Sequence, residues 1–123
     1  NNWNDPHEVA VKIISQGLID LGILQGTLDE VIENETYKEF FMHKTGHWLG
    51  MDVHDVGDYK IDDEWRVLEQ GMVLTVEPGI YISPNPDVDK KWWNIGVRIE
   101  DDVLLTDNGL EYLTQFPRDL MEL

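Results

Sequence analysis

The sequence predicts an α+β fold in which two N-terminal helices precede a largely antiparallel sheet. Apolar residues recur at helical spacing near the start of the chain, and short β-rich runs separated by Pro, Asn and Gly fill its second half. Helical patterns that come before the strand patterns, instead of alternating with them, indicate α+β. With 123 residues, 41% of them hydrophobic, we expect one domain with its own core.

Two helices are predicted in the first third of the chain. The first begins at Asp5 and Pro6, interpreted as an N-cap followed by proline at the first helical position, and Gly22 supplies a stop. The second is short, opens on a capping box at residues 27–30 and closes at Asn34. We expect both to be scaffold without chemistry of their own.

The second half of the chain is predicted to form strands. Residues 72–76 have strand composition, and residues 80–82 continue extended. Residues 95–106 alternate between apolar and polar side chains. A turn at residues 107–109 then leads into residues 110–114, which predicts a hairpin.

Charge and composition exclude several classes of partner. The chain has 9 Lys+Arg against 25 Asp+Glu, for a net charge of −16. Such a surface repels phosphate backbones and anionic lipid, so we expect neither a nucleic-acid nor a membrane partner. The acidic residues form either a solvated shell or, in part, a cation site. The absence of cysteine and of a signal-like start predicts a cytoplasmic location.

Three of the four histidines lie within twelve residues of one another. They are His43, His47 and His54, in a segment that also contains Gly46 and Gly50. Histidine is the commonest metal-binding side chain and the one best suited to carrying protons near neutral pH. We therefore expect a site in this segment rather than three unrelated core histidines.

Two carboxylates stand in unusual settings. Glu77 ends the apolar run 73–76, and a buried carboxylate must be paired, protonated or bound to a metal. Glu100 alternates with apolar neighbours and shares a face with Arg98, and taken alone it fits an exposed edge strand better than a site. Together with the histidines, they favour a site of mixed nitrogen and oxygen ligands for Mn, Co, Fe or Zn.

Three blocks of the sequence resemble, in order, the motifs of the Xaa-Pro aminopeptidases (aminopeptidase P). They are residues 43–57, 71–81 and 96–102, and the resemblance covers nearly the whole chain from about Val9. Prolidases and methionine aminopeptidases share the same pita-bread catalytic fold. Residues 48–55 are more similar to the proline-directed branch than to the methionine branch.

The resemblance implies a centre of two divalent metal ions, usually Mn²⁺, with His47, Glu77 and Glu100 among its ligands. It also counts Glu77 among the catalytic residues. Two cations that share a water-derived nucleophile can hydrolyse a peptide bond at neutral pH, and carboxylates can bridge two ions where imidazole ordinarily binds one.

The same resemblance implies roles for four further residues. His43 would contact substrate, and His54 would stabilise the tetrahedral intermediate. Arg98 would be a partner to a ligating carboxylate. Trp48 would wall the substrate pocket for the proline ring, although core packing explains it at least as well.

The family pattern includes two further ligands, both aspartates, several dozen residues upstream of the ligand histidine. Only 46 residues precede His47, and Asp5, Asp20 and Asp29 lie at helix starts or in helical segments. We therefore expect residues 1–123 to be the C-terminal portion of a catalytic domain, half of a pita-bread fold. The chain alone should be inactive, with an incomplete metal site.

The resemblance implies a cytoplasmic metallo-aminopeptidase that releases the first residue from peptides with proline in second place. One alternative is a prolidase, which accepts only Xaa-Pro dipeptides. The other is a non-catalytic pita-bread module that binds a peptide or protein. Because half of a fold exposes an apolar face, we also expect a homo-oligomer.

Overall fold

A computed structural model describes residues 1–119, which form two α-helices, two short 3₁₀ turns and seven strands. This confirms the predicted α+β class. The helices are α1 (Asp5–Asp20) and α2 (Leu28–Glu33), and the 3₁₀ turns are Thr36–Glu39 and Lys90–Trp92. The strands are β1 (Lys60–Ile61), β2 (Glu64–Trp65), β3 (Val73–Val76), β4 (Gly79–Ile82), β5 (Ile95–Arg98), β6 (Asp101–Thr106) and β7 (Gly109–Tyr112).

Helix α1 begins one residue differently from the prediction. Asn4 is the N-cap and Asp5 is the first helical residue, because the backbone N–H of Glu8 donates to the carbonyl of Asn4 at 3.0 Å. The Asp5 carboxylate accepts instead from the backbone N–H of Asn2 at 2.8 Å. At the other end Gly22 adopts a positive φ of 75°, which suits glycine just past a helix and confirms the predicted stop.

Helix α2 has the predicted capping box. The Thr27 hydroxyl accepts from the backbone N–H of Glu30 at 3.2 Å, and the Glu30 carboxylate accepts from the backbone N–H of Thr27 at 2.9 Å. The helices pack on the chain that leads to the histidines. One buried cluster contains Val11, Val31, Tyr37 and Phe41.

All strand pairs are antiparallel. Strand β6 lies between β3 and β7, which confirms the hairpin predicted at the end of the chain, and β4 pairs with β5. A small hairpin of β1 and β2 was not predicted. Its turn contains Asp62 and Asp63 at φ values of 51° and 64°.

The two larger sheets are two parts of one bent ribbon. Only Glu77 and Pro78 separate β3 from β4, and only Ile99 and Glu100 separate β5 from β6. Proline has no N–H to contribute to a ladder, so the pairing is interrupted there. The alternating residues 95–106 therefore form two strands, which are separated between Arg98 and Asp101.

The segment 45–49 runs along the free edge of β3. The backbone N–H of Thr75 donates to the carbonyl of His47 at 3.0 Å, and that of Glu77 donates to the carbonyl of Thr45 at 2.6 Å. Gly46 permits this approach, because a Cβ there would lie 2.0 Å from the Thr75 carbonyl oxygen. The pairing fixes the position of His47 relative to the end of β3.

No helix within residues 1–119 is long and apolar enough to cross a lipid bilayer.

Candidate metal centre

Glu77 and Glu100 lie at the two breaks of the bent ribbon, opposite each other. Val76 pairs with Asp101 on one side of the breaks and Gly79 pairs with Arg98 on the other, so the register places the two glutamates face to face. Glu100 is an exposed residue, yet partial desolvation of its carboxyl, and next the charge of Glu77, raise its pKa. Two carboxylates in contact favour a proton or a cation between them.

His47 directs one ring nitrogen, Nε2, toward Glu77. Its Nδ1 lies 2.9 Å from the carbonyl oxygen of Trp48, and because a carbonyl only accepts, Nδ1 carries the ring proton. Nε2 is then unprotonated in the neutral ring and lies 3.4 Å from the Glu77 Oε2. Histidines that bind metals commonly have this arrangement, with the second ring nitrogen donating to a carbonyl or carboxylate.

His54 lies beside His47, with ring centroids 4.5 Å apart and planes inclined by 54°. Unlike His47, His54 belongs to an exposed loop. It therefore borders the cluster of His47, Glu77 and Glu100 from the solvent side.

His43 is engaged at both ring nitrogens. Nδ1 donates to the carbonyl of Lys44 at 2.7 Å, so Nε2 accepts from the Tyr81 hydroxyl at 3.1 Å. Sequence reasoning did not identify Tyr81. The signal was present, since Tyr81 is the polar-tipped side chain of the apolar run Gly79–Ile82, where a half-buried hydroxyl needs a partner.

Arg98 lies near an aromatic ring, and Trp48 packs among apolar side chains. The Arg98 guanidinium lies 5.6 Å from the centroid of the Tyr81 ring, and within residues 1–119 it forms no ion pair with a carboxylate. Trp48 is 7% exposed and packs in a core cluster with Leu74 and Val103. The structure thus gives Trp48 a packing role, and lining a proline pocket stays a prediction.

The donor chemistry fits a divalent cation, but the ligand set is partial. One imidazole nitrogen and two carboxylates are a suitable set for Mn²⁺, Co²⁺, Fe²⁺ or Zn²⁺. Within residues 1–119, no group of three or more histidine or acidic side chains already surrounds a point where a metal ion could sit. Within the described residues, His47, Glu77 and Glu100 are therefore a candidate set of ligands and not a complete one.

A bent antiparallel ribbon that brings two carboxylates to a histidine defines a candidate metalloenzyme. A family model described as metallopeptidase family M24 matches residues 2–107. The chain therefore belongs to metallopeptidase family M24.

Individual relatives agree with this assignment. The chain is 49% identical to a Xaa-Pro aminopeptidase of Haemophilus influenzae, over all of this chain and 29% of the relative. An aminopeptidase structure from Pseudomonas aeruginosa matches 91% of this chain and 26% of its own, at 61% identity and a TM-score of 0.88. A zinc-substituted Escherichia coli aminopeptidase P in complex with product matches 84% of this chain and 23% of its own, at 53% identity and a TM-score of 0.78.

The chain spans between a quarter and a third of the Haemophilus influenzae relative and about a quarter of the Pseudomonas aeruginosa structure. These likenesses confirm the predicted resemblance to aminopeptidase P and to part of its pita-bread fold.

Proposed function

We propose that this chain belongs to a metal-dependent aminopeptidase that releases the N-terminal residue from peptides with proline in the second position. The observation that carries the proposal is the placement of Glu77 opposite Glu100, with the Nε2 of His47 3.4 Å from the Glu77 Oε2. Support for the substrate class comes from the relatives, which are named as Xaa-Pro aminopeptidases.

In this proposal His47, Glu77 and Glu100 would hold two divalent ions, Mn²⁺ in the native enzyme, together with two aspartates from outside this chain. Residues 1–123 would be the C-terminal portion of the catalytic domain, which agrees with the share of each relative that the chain covers. The last four of these residues lie outside the described part. Bound there, the ions would supply Lewis-acid polarisation of the scissile carbonyl and an activated water.

The remaining residues would contact the substrate or orient a metal ligand. His54, on the solvent side, would donate a hydrogen bond to the oxygen of the scissile carbonyl as negative charge develops. His43 would contact substrate through Nε2. The hydrogen bond that this atom accepts from the Tyr81 hydroxyl would then be replaced by one to the substrate. Arg98 would orient a ligating carboxylate, and Trp48 would contribute an edge to the proline pocket. A dedicated pocket is needed because proline's ring and tertiary amide must be held in one orientation.

The closest alternative is a prolidase, and substrate length separates the two. The intact protein should cleave Xaa-Pro-Xaa tripeptides at least as well as Xaa-Pro dipeptides, measured as kcat/KM with added Mn²⁺. Activity confined to dipeptides would favour the prolidase. No metal-dependent cleavage of either substrate would favour a non-catalytic peptide- or protein-binding module.

The isolated chain should not hydrolyse these substrates. It lacks a full ligand set within its described residues, and three ligands hold an ion only weakly. If purified residues 1–123 cleaved a Xaa-Pro peptide at a rate near that of a full-length relative, the proposed need for ligands from outside the chain would be wrong.

We further propose that the chain self-associates. A groove of about 660 Å³ lies between α1 and the β3–β6–β7 sheet and is lined mainly by apolar side chains, among them Val9, Ile13, Val103 and Leu110. Of these, Ile13 is 68% exposed. An uncovered apolar groove favours association with a second copy. The cytoplasmic location stays a prediction from the cysteine-free composition, as does the absence of nucleic-acid and membrane partners from the net charge.

A further inference from the structure

The loop that carries His54 has little packing to hold it. Met51 is fully exposed and Val53 is 70% exposed, and His54 itself is exposed. The His54 ring nevertheless lies 4.5 Å from the His47 ring. Because apolar burial cannot fix this loop, its shape must come from hydrogen bonds.

Asp55 makes most of those hydrogen bonds. Its Oδ2 accepts from the backbone N–H of Met51 at 3.1 Å, and its Oδ1 accepts from that of Val56 at 2.9 Å. One side chain thus ties together the two ends of the short segment that contains His54. Both bonds use a charged acceptor, which makes them stronger than bonds between neutral groups.

The backbone of Asp55 connects the same loop to His47. Its N–H donates at 3.1 Å to the carbonyl of Trp48, which also accepts from the Nδ1 of His47 at 2.9 Å. A single carbonyl therefore holds the ring orientation of His47 and the start of the turn that follows His54. A shift of Asp55 would move the two histidines relative to each other.

Gly50 leaves the space that the Asp55 carboxylate occupies. A Cβ at position 50 would lie 1.9 Å from the Asp55 Oδ2. Because that oxygen is the end of a side chain, a methyl group there would push the carboxylate aside and leave most of the backbone undisturbed. Gly50 and Asp55 therefore offer two independent ways to break the same contact.

We propose that Asp55 is a positioning residue that holds His54 against His47 by bridging the amides of Met51 and Val56. The consequence of this positioning for catalysis rests on the proposed function, in which His54 faces the substrate. Without the carboxylate, two backbone amides lose their acceptor and the exposed loop opens toward solvent.

The structural test uses residues 1–123 and nuclear magnetic resonance. Asp55→Ala and Gly50→Ala should both abolish the nuclear Overhauser effects between the His47 and His54 rings and speed amide exchange at Met51 and Val56. Asp55→Asn, which keeps one acceptor oxygen, should retain part of both signals. Asp52→Asn removes the same charge from the same loop and should leave them unchanged.

The melting temperature separates positioning from a general structural role. We expect the melting temperature of Asp55→Ala to stay close to that of the wild type, because the affected loop is exposed. If the ring-to-ring signals survive in both Asp55→Ala and Gly50→Ala, the proposal is overturned. It is equally overturned if those signals disappear only together with the folded signals of β3 and β6.

The catalytic consequence is measured in the intact protein. Asp55→Ala should lower kcat by about 10- to 100-fold, the usual cost of removing a group that orients a site residue, with KM nearly unchanged, and Asp52→Asn should match the wild type. Loss of the ring contact without a change in kcat would uphold the positioning of His54 and contradict its proposed role at the substrate. An unchanged kcat with the ring contact intact would overturn the positioning itself.

Discussion

The Nε2 of His47 faces the Oε2 of Glu77 across 3.4 Å, and the carbonyl of Trp48 holds the ring proton on the opposite nitrogen. This distance is long for a hydrogen bond. In the neutral ring with its proton on Nδ1, Nε2 is an acceptor like the carboxylate, and the two atoms are arranged to share a cation.

Titration of residues 1–123 with Mn²⁺ should reveal at most one weak site, because the candidate centre, as far as residues 1–119 form it, contains one imidazole and two carboxylates. Glu77→Gln should weaken it at least about tenfold, since an amide oxygen is a poorer ligand than a carboxylate. Isothermal titration calorimetry measures both. Glu69→Gln, at an exposed acidic position, is the matched control, and an equal loss in that variant would mean that the ion binds to the acidic surface in general.

Gly46→Ala should destabilise the chain by about 2–3 kcal/mol, because the new methyl group would collide with the Thr75 carbonyl and force segment 45–49 off β3. Urea unfolding followed by circular dichroism gives the difference in the free energy of unfolding.

Gly17→Ala is the control for that substitution. Gly17 lies within α1 with no atom within 4 Å of its added Cβ, so alanine should raise the free energy of unfolding by about 0.5–1 kcal/mol. Similar effects at the two glycines would show that the edge pairing of His47 contributes little.

His7 should make stability depend on pH. Burial, and next the charge of Lys44, lower the pKa of His7 below its ordinary value of 6.5. The folded chain then binds this proton less tightly than the unfolded chain, so the free energy of unfolding is highest above pH 6.5 and falls as the pH drops through the lowered pKa.

His7→Gln should flatten this dependence, because glutamine does not titrate. The measurement is the difference between wild type and variant in urea unfolding at a series of pH values from 7.5 to about 5. A difference that is constant over this range would contradict the lowered pKa of His7.

The groove between α1 and the sheet should govern self-association. Ile13→Glu places a charge among its apolar side chains and should shift the chain from dimers or larger species toward monomers in light scattering. Leu21→Glu introduces the same charge at the end of α1, outside the groove, and should leave the distribution unchanged. A monodisperse wild-type monomer at micromolar concentration would contradict the predicted association.

The helices and strands were largely predictable, because local signals specify them. The capping box at Thr27 and the stop at Gly22 each act within a few residues. The β1–β2 hairpin was missed because its strands have two residues each. Its two-residue turn at Asp62 and Asp63 carried a signal, since aspartate tolerates a positive φ better than most residues.

The geometry of the candidate site was not predictable from the sequence. The resemblance to aminopeptidase P implied His47, Glu77 and Glu100 as ligands, but only the strand register shows that the two glutamates face each other across a break in the ribbon. Tyr81 and Asp55 were not predicted as residues of the site for the same reason. Their importance lies in contacts with His43 and with loop amides, which depend on pairing between distant segments.

The most direct measurement is anomalous diffraction from crystals of the intact protein soaked in Mn²⁺. A peak within about 2.0–2.4 Å of the His47 Nε2 and of oxygens from Glu77 and Glu100 is expected. A peak elsewhere, or none while the crystals still cleave a Xaa-Pro peptide, would contradict the assignment of these three side chains as metal ligands.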